Sequence, residues 1–214
     1  MLKENYLTPE KTLEIFNTAK NYSGNREFKL NRDRLGLIIV DMQEYFLKEM
    51  SHAFVPSAFK LIGKIIQLIN TCKRFNIPII FTKHINTKSN AGQMKRWWKN
   101  VIEKEDPLSE IHHMLDTNNC TIIEKTQYDP FYKTDLEKIL NSQKVEQIIV
   151  CGVMTNLCCE TVVRSSFVRG YEPFLPIDLT AAYNYAFHLS TIINLSFGFS
   201  VPSLSDQIFQ AIEK

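Results

Sequence analysis

The stretch from residue 145 to residue 169 constrains the fold more than any other part of the chain. Its apolar segment 148–151, which a glycine ends, has the pattern of a buried parallel strand. Thr155 and Asn156 follow, and either side chain can cap the N-terminus of a helix. The pattern therefore predicts a strand, a tight turn and a helix, with Cys158 in the first turn of that helix.

Cys158 stands at a position that favours thiol chemistry. In open α/β sheets, ligands bind beyond the C-terminal ends of the strands, which is where the predicted turn places this residue. The dipole and the unbonded N–H groups of a first helical turn also stabilise a thiolate. We therefore interpret Cys158 as a candidate nucleophile.

Strand and helix patterns alternate after residue 34, and this alternation predicts the fold class. Alternating elements of this kind form a parallel sheet with helices on both faces. We expect a three-layer α/β/α, Rossmann-like domain over residues 35–214, with roughly six mostly parallel strands. Strands are predicted at 35–40, 79–82, 121–124, 148–151 and 173–177. The clearest helices are predicted at 56–76, with Phe59 on the apolar face, at 182–199 and at 203–213.

Residues 1–34 are polar and rich in Lys and Arg, and they form a predicted N-terminal arm. Thr8 and Pro9 are typical of a cap and a first helical residue, so a short helix should run to about Lys20. Two interpretations remain open for this arm. It packs on the domain or on a neighbouring subunit, or it is a loosely attached tail.

Bulk composition excludes several classes of protein. The formal net charge of +2 is too small to indicate a nucleic-acid partner. The chain has no long uncharged apolar run for a membrane span and no apolar signal core near its start. Neither a dinucleotide-binding glycine motif nor a phosphate-binding loop is present, so no cofactor is predicted. We expect a cytoplasmic protein with a small-molecule substrate, no nucleic acid and no membrane partner.

The cysteines do not predict a disulfide framework. Their number is odd, five in all, and no secretory signal accompanies them. Cys158 and Cys159 are adjacent, a spacing that suits neither an unstrained disulfide nor a pair of metal ligands. We interpret Cys159 as a packing residue and Cys72, Cys120 and Cys151 as structural.

The segment 85–108 reads as a long loop that carries Trp97 and Trp98 among basic residues. Long loops in compact domains are often lids or binding loops. The alternative is a hydrophobic plug with a solvated basic rim. Two further local features are a short helix predicted at 109–115 and a capping box between Thr134 and Glu137.

Three polar residues follow three predicted strands, namely Asp41, Lys125 and Cys158. Parallel strands bring their C-terminal ends to one edge, so the three side chains converge if these strands are neighbours. Asp41 would then act as general base and Cys158 as nucleophile. Lys125 would hold the pair in its charged state, so that Cys158 titrates well below a free thiol. A second interpretation of Asp41, a cap of the next turn, stays open at this point.

The growing oxyanion would be held by backbone N–H groups at the helix start, and the candidates are Met154 and Cys158. Several side chains lie near the same edge and are candidates for the substrate-binding wall. They are Gln43, Phe46, Trp97, Trp98, Tyr128 and Phe131.

The motifs around these residues resemble those of isochorismatase-like cysteine hydrolases. The segment 152–161, GVMTNLCCET, resembles the nucleophile motif of that family. Asp41 in IIVDMQEYF resembles its first-strand motif, and Lys125 in IIEKTQYDPF resembles its lysine motif. The resemblance covers about residues 35–200. Three further residues match the family pattern: Arg164, Asp178 and His188.

This resemblance implies a six-stranded parallel sheet, an Asp-Lys-Cys triad and a cis peptide before Met154 that shapes the oxyanion hole. It also implies a homo-oligomer, either a homodimer or a homotetramer. The chain departs from the pattern at 162–166, where VVRSS replaces small residues and an Asp. That departure concerns local packing more than the triad.

Two further departures bear on function. Nicotinamidase relatives carry an Asp-x-His metal cluster after the second strand, whereas residues 82–86 here read TKHIN. A zinc-bound nicotinamidase is therefore disfavoured, and no metal is predicted. Isochorismatases proper lack the nucleophilic cysteine, so Cys158 favours hydrolysis of a C–N bond in a small amide or ureide through a thioester. The alternatives are a vinyl-ether hydrolase with an idle Cys158, and a non-catalytic binding protein.

Overall fold

A computed structural model describes residues 1–87, 89–98 and 100–214. Lys99, part of the predicted basic rim of the tryptophan loop, lies outside the described residues. The strands are β1 Leu35–Val40, β2 Ile79–His84, β3 Thr121–Lys125, β4 Gln147–Val153, β5 Glu172–Phe174 and β6 Thr180–Ala181. They form one sheet in the order β3-β2-β1-β4-β5, with β6 paired to β4, and every pairing is parallel. The predicted six-stranded α/β fold is confirmed.

The helices lie on both faces of this sheet. They are α1 Pro9–Lys20, α2 Glu44–Leu47, α3 Ile62–Arg74, α4 Gln93–Trp98, α5 Leu136–Ser142, α6 Glu160–Val168, α7 Tyr185–Gly198 and α8 Ser205–Glu213. A π-helical turn, Thr155–Cys159, joins β4 to α6. Among the described residues, no helix combines the length and the apolar character that a membrane crossing requires.

The central strand β1 shows why the domain has three layers, with the sheet between two layers of helices. Leu37 and Ile39 pack into a core with α3 and α8, while Ile38 and Val40 pack into a second core with α1, α6 and α7. Both faces of the strand are therefore covered. This explains its uninterrupted apolar sequence, because a strand buried on two sides has no polar alternation.

Gly152 allows β4 to approach β1 next to the predicted site. Its φ is +112°, and a Cβ atom built there would lie 2.2 Å from the carbonyl oxygen of Val40. Only glycine fits this combination of backbone conformation and contact. The close approach places the chain after β4 beside Asp41, which directly follows β1.

The N-terminal arm packs on its own domain. Tyr6 and Leu7 belong to one core, and Ile15 of α1 belongs to the other. The Tyr6 hydroxyl accepts a hydrogen bond from the N–H of Ala182 at 2.9 Å and lies 2.8 Å from Nδ1 of His188. These buried contacts describe an integrated segment and not a loosely attached tail.

Several local predictions are wrong. Phe59 is 58% exposed, because the residues before Ile62 form a 3-10 turn and the helical face starts later. The segment 110–115 is not a helix, since its backbone bonds to the segment that follows β1. The loop 85–108 contains the helix α4, which the two tryptophans end.

Two element ends also differ from prediction. The fifth strand stops at Phe174, and Pro176 instead forms an isolated bridge to Ser203. The expected capping box does not form, because α5 begins at Leu136, whose N–H donates to the Thr134 hydroxyl at 3.2 Å. Both errors arise where a local pattern competes with tertiary contacts.

Buried histidines should make the protein unstable in acid. His188 is fully buried, and burial lowers its pKa from 6.5 to about 3. His84 is also buried, and its pKa falls from 6.5 to about 4. Below about pH 6.5 these histidines take up protons in the unfolded chain but stay neutral in the folded chain. Their contribution to the free energy of unfolding is therefore fully present above that pH and decreases as the pH falls towards about 3–4.

We expect the free energy of unfolding, measured in urea at pH 7, 6 and 5, to fall with pH by up to about 1.4 kcal/mol per unit for each histidine. His188→Asn should flatten the curve, because asparagine takes up no proton. Parallel curves for the variant and the wild type would contradict this assignment.

Candidate active site

Asp41 lies at the C-terminal end of β1 and is completely buried. Its backbone has φ 48°, and the Thr82 hydroxyl of β2 accepts from its N–H at 3.1 Å. The same hydroxyl donates to Oδ1 at 2.6 Å, so one carboxylate oxygen is oriented by a neighbouring strand. The second oxygen, Oδ2, lies 2.8 Å from Nζ of Lys125. Asp41 therefore belongs to a buried ion pair and does not simply cap a turn.

Lys125 ends β3 and is the centre of the cluster. Its ammonium lies 3.3 Å from Sγ of Cys158, donates to the carbonyl of Gln127 at 3.1 Å and lies 3.4 Å from Nδ1 of His84. Burial lowers the pKa of Lys125, but the Asp41 carboxylate and the Cys158 sulfur more than compensate and raise it above its ordinary value. The ammonium is therefore charged at neutral pH.

Cys158 is held by the π-helical turn between β4 and α6. The N–H of Cys159 donates to the carbonyl of Met154 at 3.2 Å, and the Val153–Met154 peptide is cis. Sγ of Cys158 lies within 4.8 Å of a carboxylate oxygen of Asp41. The fold thus brings together the three residues expected to converge. The oxyanion-hole roles of Met154 and Cys158 stay predictions.

The expectation that Cys158 titrates well below a free thiol is wrong for the resting cluster. Burial raises the pKa of the Cys158 thiol, the Asp41 carboxylate raises it further, and Lys125 lowers it only in part. The physical reason is a charge count: one ammonium faces both the carboxylate and the sulfur. Loss of the thiol proton to solvent would leave two buried anions with one cation. Transfer of that proton to Asp41 leaves the net charge unchanged.

His84 is a buried site residue that is not among the predicted catalytic or wall residues. Burial and the nearby Lys125 ammonium lower its pKa, so the ring is neutral at pH 7. Nε2 lies 2.8 Å from Oδ1 of Asn86. Its position at the end of β2, between β1 and β3, was the signal that identifies it, because the same edge carries Asp41 and Lys125.

The residues at this edge do not fit a metal ion. Asp41, His84 and Cys158 each offer a ligand atom within 4.8 Å of the others. However, the Lys125 ammonium contacts all three side chains, and a second cation would have to replace it. We therefore derive no step through a metal at this position.

Cys158 opens into a cavity of about 310 Å³ with mostly apolar and aromatic walls. The lining residues are Met1, Lys3, Tyr45, Phe46, His52, Ala53, His84, Asn86, Met94, Trp98, Asn100, Val101, Ile102, Tyr128, Met154, Leu157, Cys158 and Tyr183. Such a volume is at the small end for ligand sites. The cavity therefore suits a small substrate.

Half of the predicted wall residues line the cavity. Phe46, Trp98 and Tyr128 do so, and the indole N–H of Trp98 donates to the Tyr128 hydroxyl at 2.7 Å. Their role in substrate binding stays a prediction.

The other three wall residues lie elsewhere. Trp97 is 78% exposed, because consecutive residues of α4 point to different sides. Gln43 is buried beneath the site, where its amide accepts from the N–H of His84 at 2.8 Å and donates to the carbonyl of Ser109 at 2.7 Å. Phe131 packs against Tyr171 in the core, with ring centroids 6.1 Å apart.

The N-terminal arm provides part of the cavity wall, which was not predicted from the sequence. The Lys3 ammonium donates to the carbonyl of His52 at 2.6 Å and lies 4.6 Å above the Tyr183 ring. Lys3 is the only Lys or Arg among the described lining residues, which include no Asp or Glu. No local pattern indicates this contact, because the three residues are far apart in the chain.

Comparison with known proteins identifies the family of the chain. The Isochorismatase domain family matches residues 36–207. Nicotinamidase 3 of Arabidopsis thaliana is 35% identical over 170 residues, which cover 77% of this chain and 81% of that protein. Streptothricin hydrolase of Streptomyces noursei is 35% identical over 149 residues, which cover 69% of this chain and 54% of that protein, so the chain spans about half its length.

A solved structure is also similar over most of the chain. The crystal structure of a cysteine hydrolase from Pseudomonas syringae pv. phaseolicola superposes with a TM-score of 0.83 at 25% identity, covering 87% of this chain and 96% of the other. The domain match, the parallel sheet and the Asp41, Lys125 and Cys158 cluster lead to one conclusion: the chain belongs to the isochorismatase family, as an isochorismatase-like cysteine hydrolase.

Proposed function

We propose that this protein hydrolyses a C–N bond of a small amide or ureide through a thioester on Cys158. One observation carries the proposal: a single buried ammonium, that of Lys125, lies 2.8 Å from the Asp41 carboxylate and 3.3 Å from the Cys158 sulfur. The sulfur also opens into the cavity. A thiol, a base and a fixed cation are the parts that nucleophilic acyl transfer requires.

The reaction proceeds in two halves. Sγ of Cys158 attacks the substrate carbonyl carbon while its proton passes to Asp41, and a tetrahedral oxyanion forms. Asp41 then protonates the leaving nitrogen as the C–N bond breaks, which leaves a thioester and the carboxylate. Asp41 next takes a proton from water, the hydroxide attacks the thioester, and the carboxylic acid and the Cys158 thiol are released. For a ureide, the product is the corresponding carbamic acid.

Lys125 keeps its positive charge through all steps of this reaction. Its raised pKa prevents it from serving as the proton carrier at neutral pH. Its contribution is electrostatic, because it stabilises the carboxylate at rest and the developing thiolate during attack.

The cavity indicates the substrate class. Its mostly apolar and aromatic walls and its volume of about 310 Å³ fit a compact, flat acyl group. Lys3 supplies the only Lys or Arg side chain among its described lining residues, so a neutral or anionic substrate is favoured over a cationic one. The similarity to a nicotinamidase is consistent with a small aromatic amide, although the metal-binding pattern of that subfamily is absent from residues 82–86.

The alternatives make different demands on Cys158. A vinyl-ether hydrolase would use Asp41 as an acid and leave the sulfur idle, and a binding protein would need no proton transfer. The direct contact of Lys125 with the sulfur favours the amidohydrolase over both. A homodimer or homotetramer and a cytoplasmic location remain parts of the proposal.

We expect the protein to release ammonia from small amides and to hydrolyse neutral and anionic amides faster than cationic ones. Three amides with the same aromatic ring should be compared, one neutral, one with a carboxylate and one with an ammonium group. The cationic amide should have a kcat/KM at least about tenfold lower, equivalent to about 1.4 kcal/mol in transition-state binding. Small ureides and larger amides complete the panel, and ammonia or carbamate release is the measurement.

An acyl adduct on Cys158 is the matching structural readout. Rapid acid quench and peptide mass spectrometry should find the substrate acyl group on the peptide that contains Cys158. Turnover without an adduct in any amide, together with full activity of Cys158→Ser, would contradict the thioester route.

A further inference from the structure

A second cluster of metal-ligating side chains lies outside the cavity lining. It consists of Glu44, the first residue of α2, and the consecutive residues His112 and His113. Nδ1 of His112 lies 3.3 Å from Oε1 of Glu44, and Nδ1 of His113 lies 3.3 Å from the same oxygen. The two Nδ1 atoms are 3.1 Å apart. The three donor atoms therefore form a nearly equilateral triangle.

The triangle has the dimensions of one face of a tetrahedral zinc site. With Zn–N and Zn–O distances of about 2.0–2.1 Å, adjacent ligand atoms in a tetrahedron are about 3.3 Å apart. The observed edges of 3.1, 3.3 and 3.3 Å agree with this value. Two His nitrogens and a carboxylate oxygen are also a ligand set that Zn²⁺ commonly uses, with a water molecule as fourth ligand.

Hydrogen bonding alone does not satisfy this triangle. Neutral histidines offer at most one proton at each Nδ1, and two N–H groups that both point to Glu44 would face each other across 3.1 Å. If one Nδ1–H donates to the other Nδ1, the nitrogen that accepts has no proton to donate to Glu44. A cation at the centre would instead be bound by one lone pair from each of the two nitrogens and the carboxylate oxygen.

The surroundings support a site that is fixed yet accessible. The side chains of Glu44 and His112 are only 10% and 6% exposed, whereas that of His113 is 78% exposed and leaves one side open to solvent. The Phe59 ring lies 6.1 Å from the His112 ring and covers another side. Burial is the main cause that lowers the pKa of His112, and the charge of Lys48 adds to it, so Lys48 is a nearby positive charge that opposes a cation.

Backbone hydrogen bonds show what the site would connect. The N–H of His112 donates to the carbonyl of Met42 at 2.9 Å, and the N–H of Glu44 donates to the carbonyl of Glu110 at 2.9 Å. Residues 42–44 directly follow Asp41, and residues 110–113 come after the part of the cavity wall formed by 100–102. A metal ion here would hold the segment after the catalytic carboxylate against the loop that forms the wall.

We propose that Glu44, His112 and His113 bind one Zn²⁺ ion at a site separate from the Asp41, Lys125 and Cys158 cluster. The site departs from the sequence-based expectation that the chain binds no metal. It also differs in residues and position from the Asp-x-His cluster of the nicotinamidase relatives, whose corresponding segment here contains His84.

Zinc binding to chelator-treated, full-length protein tests this proposal. We expect one Zn²⁺ per chain by isothermal titration and elemental analysis, a rise in Tm with zinc and its reversal by chelator. Co²⁺ should give the intense visible bands of a tetrahedral ion. His113→Ala should weaken zinc binding at least about tenfold, and because the side chain is exposed, the variant should fold normally.

Two further variants separate this site from the reaction cluster. Glu44→Gln keeps the size of the side chain and removes its charge, so it should weaken zinc binding as His113→Ala does. Cys158→Ser should keep full zinc affinity. Absence of stoichiometric zinc in the wild type would overturn the proposal, and so would zinc that survives in His113→Ala and is lost in Cys158→Ser. Neither outcome depends on the amide substrate, so the proposed hydrolase activity is tested separately.

Discussion

Cys158→Ser should abolish turnover, with kcat at least about 10³-fold below wild type. The substitution keeps the shape of the nucleophile, but a serine hydroxyl has a far higher pKa than a thiol and Asp41 is too weak a base to ionise it. The Lys125 ammonium would lose its sulfur partner at 3.3 Å and keep its ion pair with Asp41, so the fold should be preserved. Steady-state ammonia release and the Tm of the variant are the measurements.

Two other cysteines provide matched controls. Cys120 is partly exposed and its thiol donates to the backbone carbonyls of Asp116 and Asn118, away from the reaction cluster, so Cys120→Ser should keep wild-type kcat. Cys159 is fully buried in the core, so Cys159→Ala should affect stability more than chemistry. Retention of turnover in Cys158→Ser would transfer the reaction to Asp41 and favour the vinyl-ether alternative. Unchanged ligand binding with no turnover of any substrate would favour the binding-protein alternative.

Asp41→Asn should separate thiolate formation from catalysis. The Asp41 carboxylate raises the pKa of Cys158, so its removal leaves the Lys125 ammonium to pair with the sulfur alone. We expect the pKa of Cys158 to fall, because a nearby carboxylate disfavours the thiolate and its removal ends this effect. The thiolate then forms more readily than in the wild type, yet kcat falls about 10²- to 10⁴-fold because no base remains to protonate the leaving nitrogen or activate water.

Ultraviolet titration of the thiolate measures the first effect. The four other cysteines can also contribute thiolate absorbance. The absorbance of the matching protein that also carries Cys158→Ser is therefore subtracted from that of wild type and of Asp41→Asn. Wild type should titrate above about 8.5, the value of a free thiol, and Asp41→Asn should titrate lower than wild type. A rise in the pKa of Cys158 in Asp41→Asn would contradict the proposed charge balance.

Lys125 is a less informative position for the same test. Its removal leaves the Asp41 carboxylate buried without a cation, which typically costs about 3–5 kcal/mol. Asp41→Asn avoids this cost, because the remaining ammonium and the thiolate form a neutral pair.

Much of the fold could be predicted from local patterns. The apolar runs at β1, β2 and β4 and the alternation of strands with helices lead to a parallel sheet, because burial on both faces removes polar residues from a strand. Asp41, Lys125 and Cys158 each follow a predicted strand or its turn, so their shared edge could be predicted from the direction of the strands. The exposed Phe59 and the irregular segment 110–115 were mispredicted, because tertiary contacts outweighed their local periodicity.

The amino-acid sequence alone determined where Asp41, Lys125 and Cys158 lie relative to the ends of the predicted strands. This was possible because the apolar pattern that marks a strand is a local property of the chain. Three features required the packed chain: one ammonium shared by the carboxylate and the sulfur, the contribution of Lys3 to the cavity wall, and the meeting of Glu44 with two histidines. Each depends on distances between segments far apart in sequence. Such distances set the charge balance and burial that shift a pKa, and no pattern along the chain contains them.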